Sequence, residues 1–193
     1  MATRRIYICG EAVLRKKAKR VRQVDDELLK LLEDMAETMR EAPGVGLAAP
    51  QVGESVRAII VGEVGEADEE MVLHRLINPR IVEAEGEVES GEGCLSLPTL
   101  QGIVLRPQRV VVEAIGPDEE RLTLEAEGWT ARALAHEIDH LNGRLFIDRA
   151  EADSLAWMIP DEDDERGYRL ESVSLAEALA AFQRLIEKAR AES

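Results

Sequence analysis

Ala135-His136-Glu137-Ile138-Asp139-His140-Leu141 holds two of the three histidines in the chain, four positions apart. No Pro or Gly interrupts the run between Trp129 and Asn142, so the stretch reads as a helix that Gly128 opens and Asn142-Gly143 closes. In a helix, residues four apart stand one turn above each other on the same face. Two imidazoles so placed can grip one metal ion, and Glu137 beside the first can handle a proton from water at that ion. The bland alternative is a surface helix that carries His and Glu at this spacing by chance. A helix entering this late, after several antiparallel strands and with helices on either side, predicts an α+β fold.

Just upstream, Gln108 to Ile115 and Arg121 to Ala126 read as strands joined through Gly116-Pro117-Asp118. Arg121, Thr123 and Glu125 alternate with Leu122, Leu124 and Ala126, the pattern of a sheet with one wet face. Downstream, Leu145-Phe146-Ile147 is a short apolar return. Further upstream lies Ser90-Gly91-Glu92-Gly93-Cys94-Leu95-Ser96-Leu97-Pro98. Two glycines around Glu92 and a proline after Leu97 imply a tight turn with the thiol at its tip. A buried structural cysteine is the ordinary alternative. With His136 and His140, Cys94 completes a set of one thiolate and two imidazoles. Three protein ligands leave a fourth position for water, as in catalytic rather than structural metal sites. Glu92 and Arg106 can pair to brace the cysteine loop; the alternative is an exposed ion pair worth about 0–1 kcal/mol.

Gly44-Val45-Gly46-Leu47-Ala48-Ala49-Pro50-Gln51 precedes a strand at Val56 to Val61. A glycine-rich loop can cradle phosphate, but no Lys follows and a strand comes next, which disfavours that reading. Small residues also let backbone or substrate approach closely, and an extended peptide can pair its backbone with Val45 and Gly46. Gln51 is either a polar group presented by this loop or a solvated loop residue. Before it, Asp25 or Asp26 caps a helix with a buried stripe of Leu28, Leu31, Leu32, Met35 and Met39, ended by Pro43 and Gly44. Glu63 to Glu70 is a polar excursion. Met71 to Ile77 reads as a strand ended by Asn78-Pro79, on which His74 is a surface or packing residue.

Of the 193 residues, 45% are hydrophobic and only 3% aromatic, so the core is aliphatic and alanine-rich within a single domain. A net charge of -15 repels nucleic acid and anionic membranes as a whole. Two cysteines fit a reducing compartment, with Cys9 as core filler in an apolar run. That run is too short for a signal peptide and no stretch reaches membrane-spanning length, which predicts a cytoplasmic protein. Residues 1 to 22 carry eight Lys or Arg against Glu11 alone. They read as a solvated segment or, alternatively, as a docking patch for RNA such as a ribosome surface. The tail from 151 is acidic, with a mobile loop at Asp161 to Glu165. Ser174 and Glu177 are spaced as a capping box, before a helix that docks through Leu175, Leu179, Phe182, Leu185 and Ile186.

Three stretches, Gly44 to Gln51, Glu92-Gly93-Cys94-Leu95-Ser96 and His136 to His140, resemble the signature motifs of peptide deformylase, in that family's order and at its separations. The similarity runs from about Arg4 to Arg149. It departs at Ala135, where the family usually carries Gln, and this bears on pocket packing. The resemblance implies a central metal-binding helix enclosed by small, mainly antiparallel sheets, with an N-terminal and a C-terminal helix. Residues 1–150 would be the catalytic domain; the tail beyond about Asp153 is longer than the minimal family core, so 151–193 is read from its own residues as an acidic loop and helical extension of the same domain. The implied reaction removes the formyl group from the N-terminal formylmethionine of nascent proteins and releases formate. Cys94, His136 and His140 would hold one divalent ion, physiologically Fe2+, with Zn2+, Ni2+ or Co2+ possible in a purified sample. Glu137 would move the proton, while the Gln51 amide and the Leu95 N–H stabilise the charge on the formyl oxygen. The methionine side chain would lie near Val45, Trp129, Arg132, Ala133 and His136, and Gly46, Glu92 and Gly93 complete the substrate-binding set. Partners would be formylmethionyl peptides and, transiently, the ribosome through the basic segment, with no membrane and no sequence-specific nucleic acid. Two readings compete: a zinc peptidase using the same helix, with a downstream third ligand, and a non-catalytic metal-binding or ribosome-associated module.

Overall fold

In a computed structural model of the chain, which describes residues 2–42, 44–63, 71–151 and 153–191, the histidine stretch is a helix, α2 (Gly128–Leu141), and every residue from Leu134 to Leu141 is buried. Gly128 makes the turn into it with φ +56, a conformation costly for residues with a Cβ. Asn142 closes it, its side-chain amide donating to the Ile138 carbonyl at 2.9 Å. A helix buried on all sides needs cover all round, and two antiparallel sheets supply most of it.

The first sheet has the order β1 (Gly46–Ala48), β2 (Ala58–Glu63), β3 (Val72–Glu85), β6 (Arg109–Ile115) and β7 (Arg121–Glu127). The second has the order β4 (Val88–Cys94), β5 (Leu97–Arg106), β8 (Ala156–Pro160) and β9 (Tyr168–Ser172). The continuous apolar run of β2 is explained by cover on both faces. Alternate residues point to opposite sides: Ile59 and Val61 pack with Leu134, Ile138 and Leu141 of α2, while Ala58 and Ile60 pack with the first helix, α1 (Asp26–Glu41). Met35 and Leu32 of α1 are fully buried there, each contributing about 1.5–3 kcal/mol. The wet face of β7 is as its alternation predicts, with Arg121, Thr123 and Glu125 exposed.

Several boundaries are sharpened or corrected. Asp25, rather than Asp26, caps α1 by accepting the Leu28 N–H at 2.9 Å. Its end falls at Glu41 with Ala42 as cap; the expected stop residue Pro43 lies outside the described residues, as do 64–70 of the polar excursion. Asn78-Pro79 does not end β3. The strand continues to Glu85 through a register shift between Ile77 and Arg80, where Asn78 takes φ +53 and Pro79 has no N–H to offer. The Asn78 amide then ties the N-terminal segment down, exchanging two 2.9 Å hydrogen bonds with the backbone of Val21. Cys9 is core filler as expected, packed with Leu14 and Phe182, and burial raises its thiol pKa.

The tail is more than a loop and a helix. It adds β8 and β9 to the second sheet, through Leu100↔Trp157 and Gln101↔Ala156, before α3 (Leu175–Ala191). Residues Asp161 to Glu165 form the turn joining these strands. Ser174 and Glu177 form the predicted cap, the Ser174 N–H donating to the Glu177 carboxylate at 3.1 Å and the Glu177 N–H to Ser174 Oγ at 3.3 Å. The expected apolar stripe of α3 is only partly right. Phe182 and Ile186 bury with Ala178, whereas Leu175, Leu179 and Leu185 are 42%, 40% and 48% exposed. Contact along a single i, i+4 row is narrow, and the small Ala178 lets the helix sit close on that row.

Candidate metal centre

Cys94 ends β4 at a hairpin whose two-residue turn is Leu95-Ser96, and a register shift between Gly93 and Cys94 re-aims the thiol. The expected tight turn is therefore the tip of a strand pair. His136 and His140 meet the sulfur from α2. Cys94 Sγ is 3.2 Å from His140 Nε2, and the ligand atoms of all three residues lie within 4.8 Å of one another. No other such group of His, Cys, Asp and Glu occurs among the described residues, and the third donor comes from upstream of the helix. His136 Nδ1 donates to Glu92 Oε2 at 2.9 Å, which leaves Nε2 to face the cluster.

The donor set suits a divalent ion of the zinc, iron, cobalt or nickel type. Burial, and then the positive charges of His136 and Arg106, hold His140 well below its ordinary pKa, so it is the neutral ring a metal requires. Burial works against a charged His136, but the Cys94 sulfur and Glu92 outweigh it and raise its pKa well above the usual value.

A buried ionic chain orients this centre. Arg106 forks onto Glu92 at 2.6 and 2.8 Å and reaches Asp139 with its third nitrogen. Arg149 forks onto the same Asp139 at 2.6 and 2.9 Å. Arg106 is 2% exposed, so the Glu92–Arg106 pair is not the exposed one weighed as an alternative. Burial would lift the Glu92 carboxyl, but Arg106 and His136 hold it at about 2. Asp139 was quoted with the motif but given no role. Its position three residues after His136 was the available signal.

Glu137 is buried with Oε2 unpartnered, and burial raises its carboxyl to about 7. A Cβ at Gly46 would collide with that carboxylate, so β1 passes against it only because residue 46 has no side chain. Gln51 is buried rather than solvated. Its Oε1 accepts the Ala48 N–H at 2.8 Å, and its Nε2 lies 3.5 Å from Cys94 Sγ and 3.3 Å from Ser96 Oγ. Ser96, fully buried, was quoted with the motif but given no role.

These groups open into a cleft of about 580 Å3 lined by Val45, Gly46, Gln51, Glu92, Gly93, Cys94, Leu95, Trp129, Arg132, Ala133, His136 and Glu137. His140 lies behind them. Ser90, Gly91 and Pro98 also line the cleft, quoted in the sequence with the cysteine turn but given no site role, and sequence reasoning missed Thr99 and, from the tail, Met158. Half-exposed Trp129 lies under the Arg132 guanidinium at 5.0 Å. β1 and β4 are each the end strand of their sheet, so two strand edges flank the cleft. His74 takes no part and lies 2.7 Å from Glu63 on the neighbouring strand.

The profile of the polypeptide deformylase family matches residues 3–155. The chain is 54% identical over 152 residues to a peptide deformylase of Natranaerobius thermophilus, covering 78% of this chain and 94% of that one. It superposes on the peptide deformylase of Thermotoga maritima with a TM-score of 0.72 at 41% identity, over 78% of this chain and 99% of the other. A Met-Ala-Ser-bound class I type b peptide deformylase of Acinetobacter baumannii gives 0.72 at 35% identity, over 77% and 98%.

Proposed function

This chain belongs to the polypeptide deformylase family, and from that premise we propose how its own residues divide the work of removing the formyl group from formylmethionyl peptides. It is a metal-dependent hydrolase that releases formate. The observation that carries the assignment is the convergence of Cys94, His136 and His140 beside the unpartnered carboxylate oxygen of Glu137. Cys94 Sγ and the two rings would hold the ion, which when bound supplies Lewis acidity and lowers the pKa of water toward about 7.

The peptide enters extended, its backbone pairing with the free edge of β1 at Val45 and Gly46 and facing β4 at Glu92 and Gly93. Its methionine side chain packs among Val45, Trp129, Arg132, Ala133 and His136. Glu137 Oε2 takes a proton from the attacking water as the water oxygen bonds to the formyl carbon. It then delivers that proton to the amine nitrogen as the C–N bond breaks, so formate and a free N-terminus leave. Gln51 Nε2 and the Leu95 N–H donate to the formyl oxygen as it gains charge. Glu92 and Arg106 keep the His136 ring in place.

The ion proposed is ferrous iron, which the thiolate–imidazole set accepts along with zinc, nickel or cobalt. Residues 151–193 belong to the same domain in this reading, supported by the pairing of β8 with β5 and by Phe182 in the core. No helix among the described residues is long and apolar enough to cross a membrane. We place the enzyme in the cytoplasm with its nascent substrates, touching the ribosome transiently through basic residues 1–22. Turnover of formyl-Met-Ala-Ser against its acetyl counterpart, with metal analysis on the same sample, tests the assignment. Only the formyl peptide is expected to be cleaved, with one ion per chain; equal cleavage of both, or a chain that binds no ion, would sink it.

A further inference from the structure

Helix α2 turns His136 and Glu137 to the substrate cleft, and Ala135, Ile138 and Asn142 to a second cavity of about 460 Å3 behind it. Arg57, Arg80, Arg144 and Arg149 reach the rim of this cavity and Arg106 lies in its wall, against a single lining carboxylate, Asp139. That carboxylate is already engaged by Arg106 and Arg149, and Arg80 is paired with Glu113. Arg57 and Arg144 have no carboxylate partner among the described residues. The Arg57 guanidinium donates only to uncharged oxygens, of Leu141 at 3.3 Å, Asn142 at 3.0 Å and Pro79 at 3.2 Å. Burial, and then the neighbouring Arg20, lower its pKa, so a half-buried cation faces another cation and no counter-charge.

The basic N-terminal segment runs alongside. The Ala18 N–H donates to the Leu141 carbonyl and the Arg57 N–H to that of Lys19, both at 2.9 Å. On a chain of net charge -15, Arg57 and Arg144 thus stand as positive charges with no carboxylate partner among the described residues, beside three arginines that are already paired. Such a concavity recruits anions, and guanidinium forks match the geometry of an oxyanion with several acceptor oxygens.

We propose that this cavity binds a phosphate group, held chiefly by Arg57 and Arg144. The site is separate from the metal cleft and does not depend on the deformylase reading. The group can come from the backbone of an RNA or from a free phosphate, and the two sources are distinguishable. The full, metal-loaded chain would be titrated with inorganic phosphate by calorimetry and with a labelled RNA duplex by fluorescence anisotropy, over a series of chloride concentrations.

Saturable phosphate binding is expected. If RNA is the source, its affinity falls with salt, and Arg57→Gln with Arg144→Ser reduces the log–log salt slope by about two. The same double variant weakens phosphate binding at least tenfold, and turnover of formyl-Met-Ala-Ser is unchanged. Arg144→Ser alone, at an exposed residue whose side chain has no carboxylate partner among the described residues, reduces the slope by about one and keeps the test valid should the double variant misfold. Phosphate binding without RNA binding identifies a small phosphate as the occupant, whereas RNA binding displaced by phosphate identifies the backbone. Absence of both at low salt, or binding that neither variant weakens, overturns the proposal.

Discussion

Gly46 and Glu137 are 91 positions apart in sequence, yet each determines what the other can be. Because a Cβ at residue 46 would overlap the carboxylate, Gly46→Ala must push Glu137 aside while its ligand neighbours stay on α2. The variant is expected to lose on the order of 10²–10⁴ in kcat, the range of a misplaced general base, and to retain its metal. Unchanged turnover would show that Glu137 Oε2 does not carry the proton. Gln51→Ala should lower kcat by about 10²–10³ if its amide serves the formyl oxygen. Its Oε1 also holds the buried Ala48 N–H, so the same variant should lose about 1–3 kcal/mol in denaturant unfolding. A stability loss with full turnover would leave Gln51 a purely structural role. The two histidine ligands and Glu137 were legible because HExxH spacing is a local helical property. The glycine's reason was not, since nothing near residue 46 says what packs against it.

Strand β4 shows why the cysteine's setting was hidden. Its inward-facing positions are Val88, Ser90, Glu92 and Cys94, with Gly91 and Gly93 between them. A face built for polar work carries no hydrophobic alternation, so period-2 reasoning sees only a turn. The helices and the strands β2, β6 and β7 were readable because their buried faces are apolar. The tail illustrates the same limit: β8 is five residues ending in Pro160, and its Met158 reaches the cleft only through pairing with β5. Met158 lines the cleft without being one of the ligands. Met158→Ala should therefore raise KM for formyl-Met-Ala-Ser several-fold and leave kcat near its original value. A KM that does not move removes β8 from substrate binding.

At the scale of the whole molecule, the N-terminus is fastened to α1 through Asp34, a buried carboxylate in an otherwise mostly exposed acidic complement. It accepts from Lys30 Nζ at 2.8 Å, from the Ala2 N–H at 3.0 Å and from Arg4 at 3.2 and 3.3 Å. The Lys30 hydrogen bond, followed by that of Ala2, lowers its pKa from 3.8 to about 2. Sequence composition pointed to eight scattered cations in this segment, but not to the one acid that gathers two groups of the segment's start onto a helix. A carboxyl whose folded pKa is depressed stabilises the fold fully above its unfolded pKa and loses that contribution as pH falls toward the folded value. With Lys30 two-thirds exposed and screened, the contribution is about 1–2 kcal/mol. Asp34→Asn should therefore unfold at lower urea than the parent chain at about pH 5. The gap between the two midpoints should narrow from about pH 4 downward and nearly vanish by about pH 2. A gap that stays constant across this range would mean that Asp34 acts through packing and not through its charge.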